Sequence, residues 1–215
     1  MTKPEFIARQ GRKPSGFLGH VVAWIMAKET RPENDRTLEL LELKDYDAVL
    51  EIGFGHGETL QRAARQVKYG QLAGVDFSDV MIARASNLNR GLIRQGRLDL
   101  RSGEGRELPF GPESFTKVFT VHTVYFLADL SEDFEEVYRV LKPGGRFVIG
   151  YRSSEDERVV SAFPDTVYQF RSVGEVEETL QRIGFSDVRT QSANARKRLT
   201  HWTIAQKRPV TGLSN

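Results

Sequence analysis

The sequence has no cysteine in 215 residues. Disulfides, thiolate nucleophiles, Cys-ligated zinc and iron–sulfur clusters are therefore excluded together. Histidine is scarce as well. The four, His20, His56, His122 and His201, show no paired spacing such as H-x-x-x-H, which argues against a metal site. Charge of one sign is also lacking: 31 Lys+Arg stand against 29 Asp+Glu, a net of +2. That balance lends no support to a nucleic-acid footprint over the whole protein, although a local patch stays open. No apolar run approaches the roughly 18 residues that span a bilayer. The N-terminal stretch MTKPEFIARQGRKPSG has no apolar segment of the secretory kind and is broken by Pro4, Gly11 and Pro14. A cytoplasmic location is the expectation.

What is present is a globular composition, with 39% hydrophobic and 28% charged residues, including 13 Phe and 6 Tyr. This excludes disorder as a description of the whole chain. The length suits one domain with a small appendage. No internal repeat or low-complexity tract occurs.

Residues 1–15 read as irregular and basic. Residues 16–29 place Phe17, Leu18, Val21, Val22 and Ile25 on one helical face, suited to core packing, to a lid or to contact with a membrane surface. Pro32 suits the start of a further helix carrying Leu38, Leu40, Leu41 and Leu43. From residue 48 short apolar runs alternate with helical stretches. Strands are expected at 48–52, 71–76, 97–102, 115–121 and 146–151. Helices are expected at 58–69, at 79–89 behind Ser78, and near 132–141, where Lys142-Pro143-Gly144-Gly145 forces a stop. Ser172 and Glu175 form a capping box for a helix over 173–183, ended by Gly184. Strands at 185–191 and 200–207 close the pattern. The alternation implies an α/β fold with a mostly parallel sheet covered on both faces. The last two strands lie too close in sequence for a crossover helix, so the final strand is expected to run antiparallel.

The sharpest local signal is Glu51-Ile52-Gly53-Phe54-Gly55-His56-Gly57, where a strand passes into a helix. Glycines there permit a tight turn and close approach of a ligand to exposed helix N–H groups. Asp76 ends the next strand, placed to accept hydrogen bonds from ribose hydroxyls. The dinucleotide pattern G-x-G-x-x-G would need glycine at 58, but Glu58 stands there. A glutamate at a helix N-terminus also opposes a pyrophosphate. A nucleoside cofactor without phosphate fits better than a nicotinamide dinucleotide.

VLEIGFGHG (49–57), GVDFSDVMIARA (74–85), SGEGRELPFGPESFTKVFTVHTVYFLAD (102–129) and LKPGGRFVIG (141–150) together resemble the class I S-adenosylmethionine-dependent methyltransferases, in family order over nearly half the chain. Among these the chain is most similar to the ubiquinone/menaquinone-biosynthesis and other small-molecule enzymes. The resemblance implies a Rossmann-like three-layer sandwich around a seven-stranded sheet with its last strand antiparallel. It implies S-adenosyl-L-methionine as cofactor. Glu51 would position its amino-acid end beside Gly53, Gly55 and Gly57. Asp76 would bind the ribose, and Phe77 and Met81 would pack on the adenine or ribose. Gly103, Glu104 and Gly105 stand where the family usually has a Gly-Asp-Ala adenine contact. Thr120 would lie near the transferred methyl.

Methyl transfer from a sulfonium is an in-line displacement, so the protein mainly supplies proximity and alignment. A base matters only when the acceptor must lose a proton. His122 is the candidate for a base or a positioning group, with Tyr125 as pocket wall or catalyst. His20 and Tyr151 are further candidates for the same space. The missing cysteine excludes cytosine C5 enzymes with a cysteine nucleophile, thiol-dependent arsenic methylation and radical enzymes. No Asn/Asp-Pro-Pro-Tyr/Phe motif follows the fourth strand, against methylation of the adenine amine. The domain expectation is a helical cap at 1–45, a cofactor core at 46–152, a substrate-selecting insertion at 153–171 and a C-terminal helix and strand pair at 172–208. The leading reading is methyl transfer to a small molecule, with O-, N- or C-transfer undecided. The alternatives are an RNA or protein acceptor, suggested by Arg9/Arg12/Lys13 and Arg196/Lys197/Arg198, and a non-catalytic cofactor binder or membrane-surface protein.

Overall fold

A computed structural model describes residues 4–12, 30–195 and 198–209. The amphipathic stretch 16–29, with His20, and the pair Arg196/Lys197 lie outside the described residues. Seven strands form one sheet in the order β3-β2-β1-β4-β5-β7-β6. They are β1 (Ala48–Ile52), β2 (Gln71–Asp76), β3 (Leu98–Ser102), β4 (Phe115–Val121), β5 (Leu141–Tyr151), β6 (Phe185–Ala195) and β7 (Arg198–Lys207). β1 pairs in parallel with β2 and β4, β2 with β3, and β4 with β5, while β7 runs antiparallel to both β5 and β6. The described helices are α1 (Glu5–Arg12), α2 (Arg31–Leu41), α3 (Glu58–Gln66), α4 (Asp79–Leu88), α5 (Arg90–Arg94), α6 (Leu130–Val140), α7 (Glu157–Val160) and α8 (Val173–Ile183).

Period-two alternation sends successive strand residues to opposite layers. Val49, Phe119 and Val148 pack with Leu38, Leu41, Leu60, Ala63 and Ala85, under α2, α3 and α4. Leu50, Val118, Phe147 and Ile149 pack with Phe134, Val137, Val176 and Leu180, under α6 and α8. The inner strands β1 and β2 bury both faces and read as apolar runs, whereas the edge strand β3 is largely exposed. Each apolar side chain withdrawn from water contributes roughly 1.5–3 kcal/mol before the entropy of ordering is subtracted.

Three sequence expectations change. Residues 5–12 are helical rather than irregular, because Pro4 opens α1 through its carbonyl and an Arg9–Glu5 pair at 2.7 Å closes the first turn. β5 begins at Leu141: Phe115 pairs with Leu141 and Lys117 with Arg146, so the Pro143-Gly144-Gly145 turn bulges from a strand that continues. β6 and β7 extend to Ala195 and Arg198, longer than alternation alone indicates. Ser172 caps α8, its Oγ accepting from the Glu175 N–H at 3.1 Å, but the box is half made, because the Glu175 carboxylate pairs with Arg171 at 2.9 Å. Ser78 is the N-cap of α4, but its side chain does not cap that helix.

Candidate active site

The C-terminal ends of β1, β2, β3 and β4 open into a cavity of about 600 Å³, the size of a drug-like ligand site. Its floor is the glycine turn. Gly53, Gly55 and Gly57 all have left-handed φ, at 72°, 53° and 79°. A side chain at 53 would overlap Thr123 Cγ2, so glycine there satisfies both the turn and the close approach of the next strand's loop. Gly57 does not line the cavity. Its space is filled by Ala85 and by Asn89, whose Nδ2 donates to the Gly57 carbonyl at 3.1 Å, so it locks the turn to α4. Thr120 is also off the wall: it is buried and its hydroxyl donates to the Ile52 carbonyl at 2.8 Å, tying β4 to β1. The other expected cofactor residues, Glu51, Gly53, Gly55, Asp76, Phe77, Met81, Gly103, Glu104 and Gly105, all line it.

Asp76 holds two turns at once. Its Oδ2 accepts from the Gly55 N–H and its Oδ1 from the Ser78 N–H, each at 2.9 Å. Burial raises its carboxyl above the usual range, against those backbone donors. Glu51 is 4% exposed, and Oε2 has no hydrogen-bond partner among the described residues. Burial lifts its carboxyl well above the ordinary value, opposed by Arg62. Two buried acids with unused acceptor capacity fit a ligand that brings an ammonium and hydroxyl donors, as S-adenosylmethionine does.

At the far end stands a cluster that sequence reasoning missed in part. His122 has φ 60°, a left-handed conformation uncommon outside glycine and held here by its N–H donating to the Gly150 carbonyl at 2.8 Å. Its Nδ1 lies 2.9 Å from the Tyr125 hydroxyl, which itself accepts from the Arg152 N–H at 2.7 Å. Burial raises the Tyr125 phenol, so it stays protonated. This network assigns the phenol proton to His122 Nδ1 and leaves the imidazole proton on Nε2. Nε2 is buried 3.9 Å from Glu33 Oε1, beyond hydrogen-bond reach. Burial lowers the His122 pKa and keeps the ring neutral at pH 7. Neither ring nitrogen is thus left open to the cavity.

Glu33 comes from the first turn of α2 and is 1% exposed. Arg152, at the end of β5, lies 3.6 Å from it. Glu33, Asn34, Thr37, Leu38 and Leu41 form the buried face of α2, and Trp202 Nε1 donates to Thr37 Oγ1 at 3.1 Å, fixing that helix against β7. An acid in a helix first turn ordinarily reads as a solvated partner of the helix dipole, so no sequence signal marks Glu33 as buried. Tyr151 does not face the cavity. It alternates to the α6/α8 face, where its hydroxyl meets Thr203 Oγ1 at 3.0 Å. Aromatic side chains Tyr125, Phe126, Phe163 and Tyr168 wall this end. Among the described residues no cluster of acids and histidines is arranged to hold a metal, and no helix is long and apolar enough to cross a membrane.

Residues 50–149 match the family described as Methyltransferase domain. YrhH of Bacillus subtilis, a methyltransferase by name, is 30% identical over 131 residues, covering 61% of this chain and 72% of that protein. The ubiquinone/menaquinone biosynthesis C-methyltransferase of Geotalea daltonii is 31% identical over 102 residues, covering 47% of this chain and 43% of that one. A SAM-dependent methyltransferase from Aquifex aeolicus superposes with TM-score 0.70 at 22% identity, over 86% of this chain and 96% of that chain, a likeness of fold. The glycine turn, the two buried acids and these relatives converge: the chain belongs to the class I S-adenosylmethionine-dependent methyltransferases.

Proposed function

We propose that the acceptor is a small molecule with a substantial apolar or aromatic part. The observation that carries this reading is the aromatic cluster over the far end of the cavity. Phe163 and Tyr168 lie 4.6 Å apart between ring centroids, and Tyr125 lies 4.8 Å from Phe170 and 5.8 Å from Tyr168. Phe163, Tyr168 and Phe170 come from the segment 153–171, outside the shared core, which supports reading that segment as substrate-selecting. The named relative acting on ubiquinone and menaquinone precursors supports a small-molecule acceptor. When bound, the cofactor supplies a methyl group already activated on a sulfonium. The chain's own residues then hold the acceptor in line, exclude water with their aromatic wall and fix the polar contacts at His122 and Tyr125. Glu51, Gly53, Gly55, Asp76, Phe77 and Met81 would hold the cofactor.

The test is a methyl-transfer assay with isotope-labelled donor and a fractionated cell extract. Label is expected in the organic-extractable small-molecule fraction. Label confined to RNA or protein overturns the reading in favour of a macromolecular acceptor.

His122 acts by position on this reading, since Tyr125 occupies its Nδ1 and its Nε2 is buried. The variant His122→Gln is expected to lower kcat by about tenfold while leaving S-adenosylhomocysteine affinity within about twofold. General acid–base catalysis typically contributes about 10²–10⁴-fold. A kcat loss of that size, with the acid limb of the rate profile, below the ordinary 6.5, removed, would assign His122 the proton transfer instead.

A further inference from the structure

Glu104 stands where an adenine-reading carboxylate is expected, yet its side chain is 58% exposed and pairs with Arg106 at 2.9 Å. The buried carboxyl on the same wall is Asp133, from the first turn of α6. It is 8% exposed and lines the cavity beside Gly105. A Cβ at residue 105 would overlap Asp133 Oδ1, so glycine there is what admits the carboxyl to the wall. The described residues around it act on it through charge and burial, with no hydrogen bond. A carboxyl nine-tenths buried, unpartnered and open to the cavity needs a ligand donor.

We propose that Asp133 reads the 6-aminopurine ring of the cofactor, its carboxyl meeting the exocyclic amine and the adjoining ring nitrogen. The amide of Asn or Gln meets adenine with one acceptor and one donor. The inference rests on the cofactor assignment above. The surroundings favour the neutral form. Burial pushes the carboxyl up to about 7, helped by Glu132, Glu104 and Asp129 and opposed by Arg106. Below about pH 7 the carboxyl therefore both donates and accepts. Above that pH it becomes an acceptor only and one of the two bonds is lost, so affinity falls as pH rises.

The experiment is calorimetric titration of the full chain with S-adenosylhomocysteine from about pH 6 to about pH 8.5, using wild type, Asp133→Asn and Asp133→Ala. Thermal melts establish that each variant is folded. Wild type is expected to lose about tenfold in affinity relative to Asp133→Asn across that range, because the amide keeps one donor and one acceptor and does not titrate. The ligand's own titration is common to both proteins. Asp133→Ala is expected to bind about 10–50-fold more weakly than wild type at about pH 6. The analogue with hydrogen in place of the 6-amino group keeps the ring acceptor but offers the carboxyl no donor. Wild type is expected to bind it much more weakly than S-adenosylhomocysteine, and Asp133→Ala to discriminate far less between the two. Equal affinity of Asp133→Ala and wild type at about pH 6, or equal discrimination against the analogue, overturns the inference alone. Absence of S-adenosylhomocysteine binding by wild type overturns it together with the cofactor assignment.

Discussion

Replacing Asp76 with alanine is expected to weaken S-adenosylhomocysteine binding by about 10²–10³-fold. Hydrogen bonds to a charged group are each worth roughly 1.5–3 kcal/mol, and two ribose hydroxyls would lose such an acceptor. A second loss adds to the first. Asp76 is also the clip between the Gly55 and Ser78 N–H groups, each at 2.9 Å, so the glycine turn loses its anchor to β2. Asp76→Asn keeps an acceptor and is expected to lie between wild type and alanine. Calorimetry with the demethylated cofactor decides the matter, with a melting curve of the ligand-free variants as the control for folding. Alanine binding within about threefold of wild type would remove Asp76 from the ribose site.

The variant Glu33→Ala is expected to be the most damaging single change to stability outside the apolar core. Removing one partner of a buried ion pair typically costs about 3–5 kcal/mol, because the other charge is left uncompensated. Here Arg152 would be stranded, with its guanidinium on the cavity wall. For a chain of this size that corresponds to a fall in melting temperature of roughly 6–20 °C. Glu33→Gln is expected to cost less. The pH dependence has a definite sign. Burial alone would raise the Glu33 carboxyl, but His122 and Arg152 outweigh it and hold it below its ordinary 4.5. A folded-state pKa below the unfolded one gives stability that is present above about pH 4.5 and lost as pH falls further. The gap in melting temperature between wild type and Glu33→Gln should therefore narrow on acidification below that value. A gap that widens would mean that the carboxyl is neutral in the folded protein.

β1 and β2 were legible twice over, as apolar runs and by the glycine or acid at their ends. Gly53 at the tip of β1 and Asp76 at the tip of β2, picked out by spacing, both line the cavity. The closing hairpin was legible from the short distance between its strands. The far end of the cavity was not. Glu33 and Asp133 each occupy a helix first turn, where an acid is stabilised by the helix dipole whether it is buried or solvated. Arg152 follows a strand that ends at Tyr151, and nothing in its neighbours states that Glu33, 119 positions earlier, will meet it. Tyr151 was assigned to the wrong side because a strand end offers both faces, and only the registry with β7 decides between them. Such residues acquire meaning from pairings distant in sequence, whereas periodicity reports only on near neighbours.

The hydrogen bond from Trp202 to Thr37 spans 165 positions, and it has a consequence for the timing of assembly. Strands β1 to β5 can all pair before β7 is made, since every partner among them precedes residue 152. The helix bearing Glu33 packs mainly on β5 and β4, and its bond to β7 forms only once β7 has paired along β5. That bond is therefore the last lock placed on the helix. Closing so long a loop is entropically slow. A nascent or truncated chain ending before residue 198 lacks that lock: one edge of β5 is unpaired, and the Glu33–Arg152 pair at the far end of the cavity has less backing.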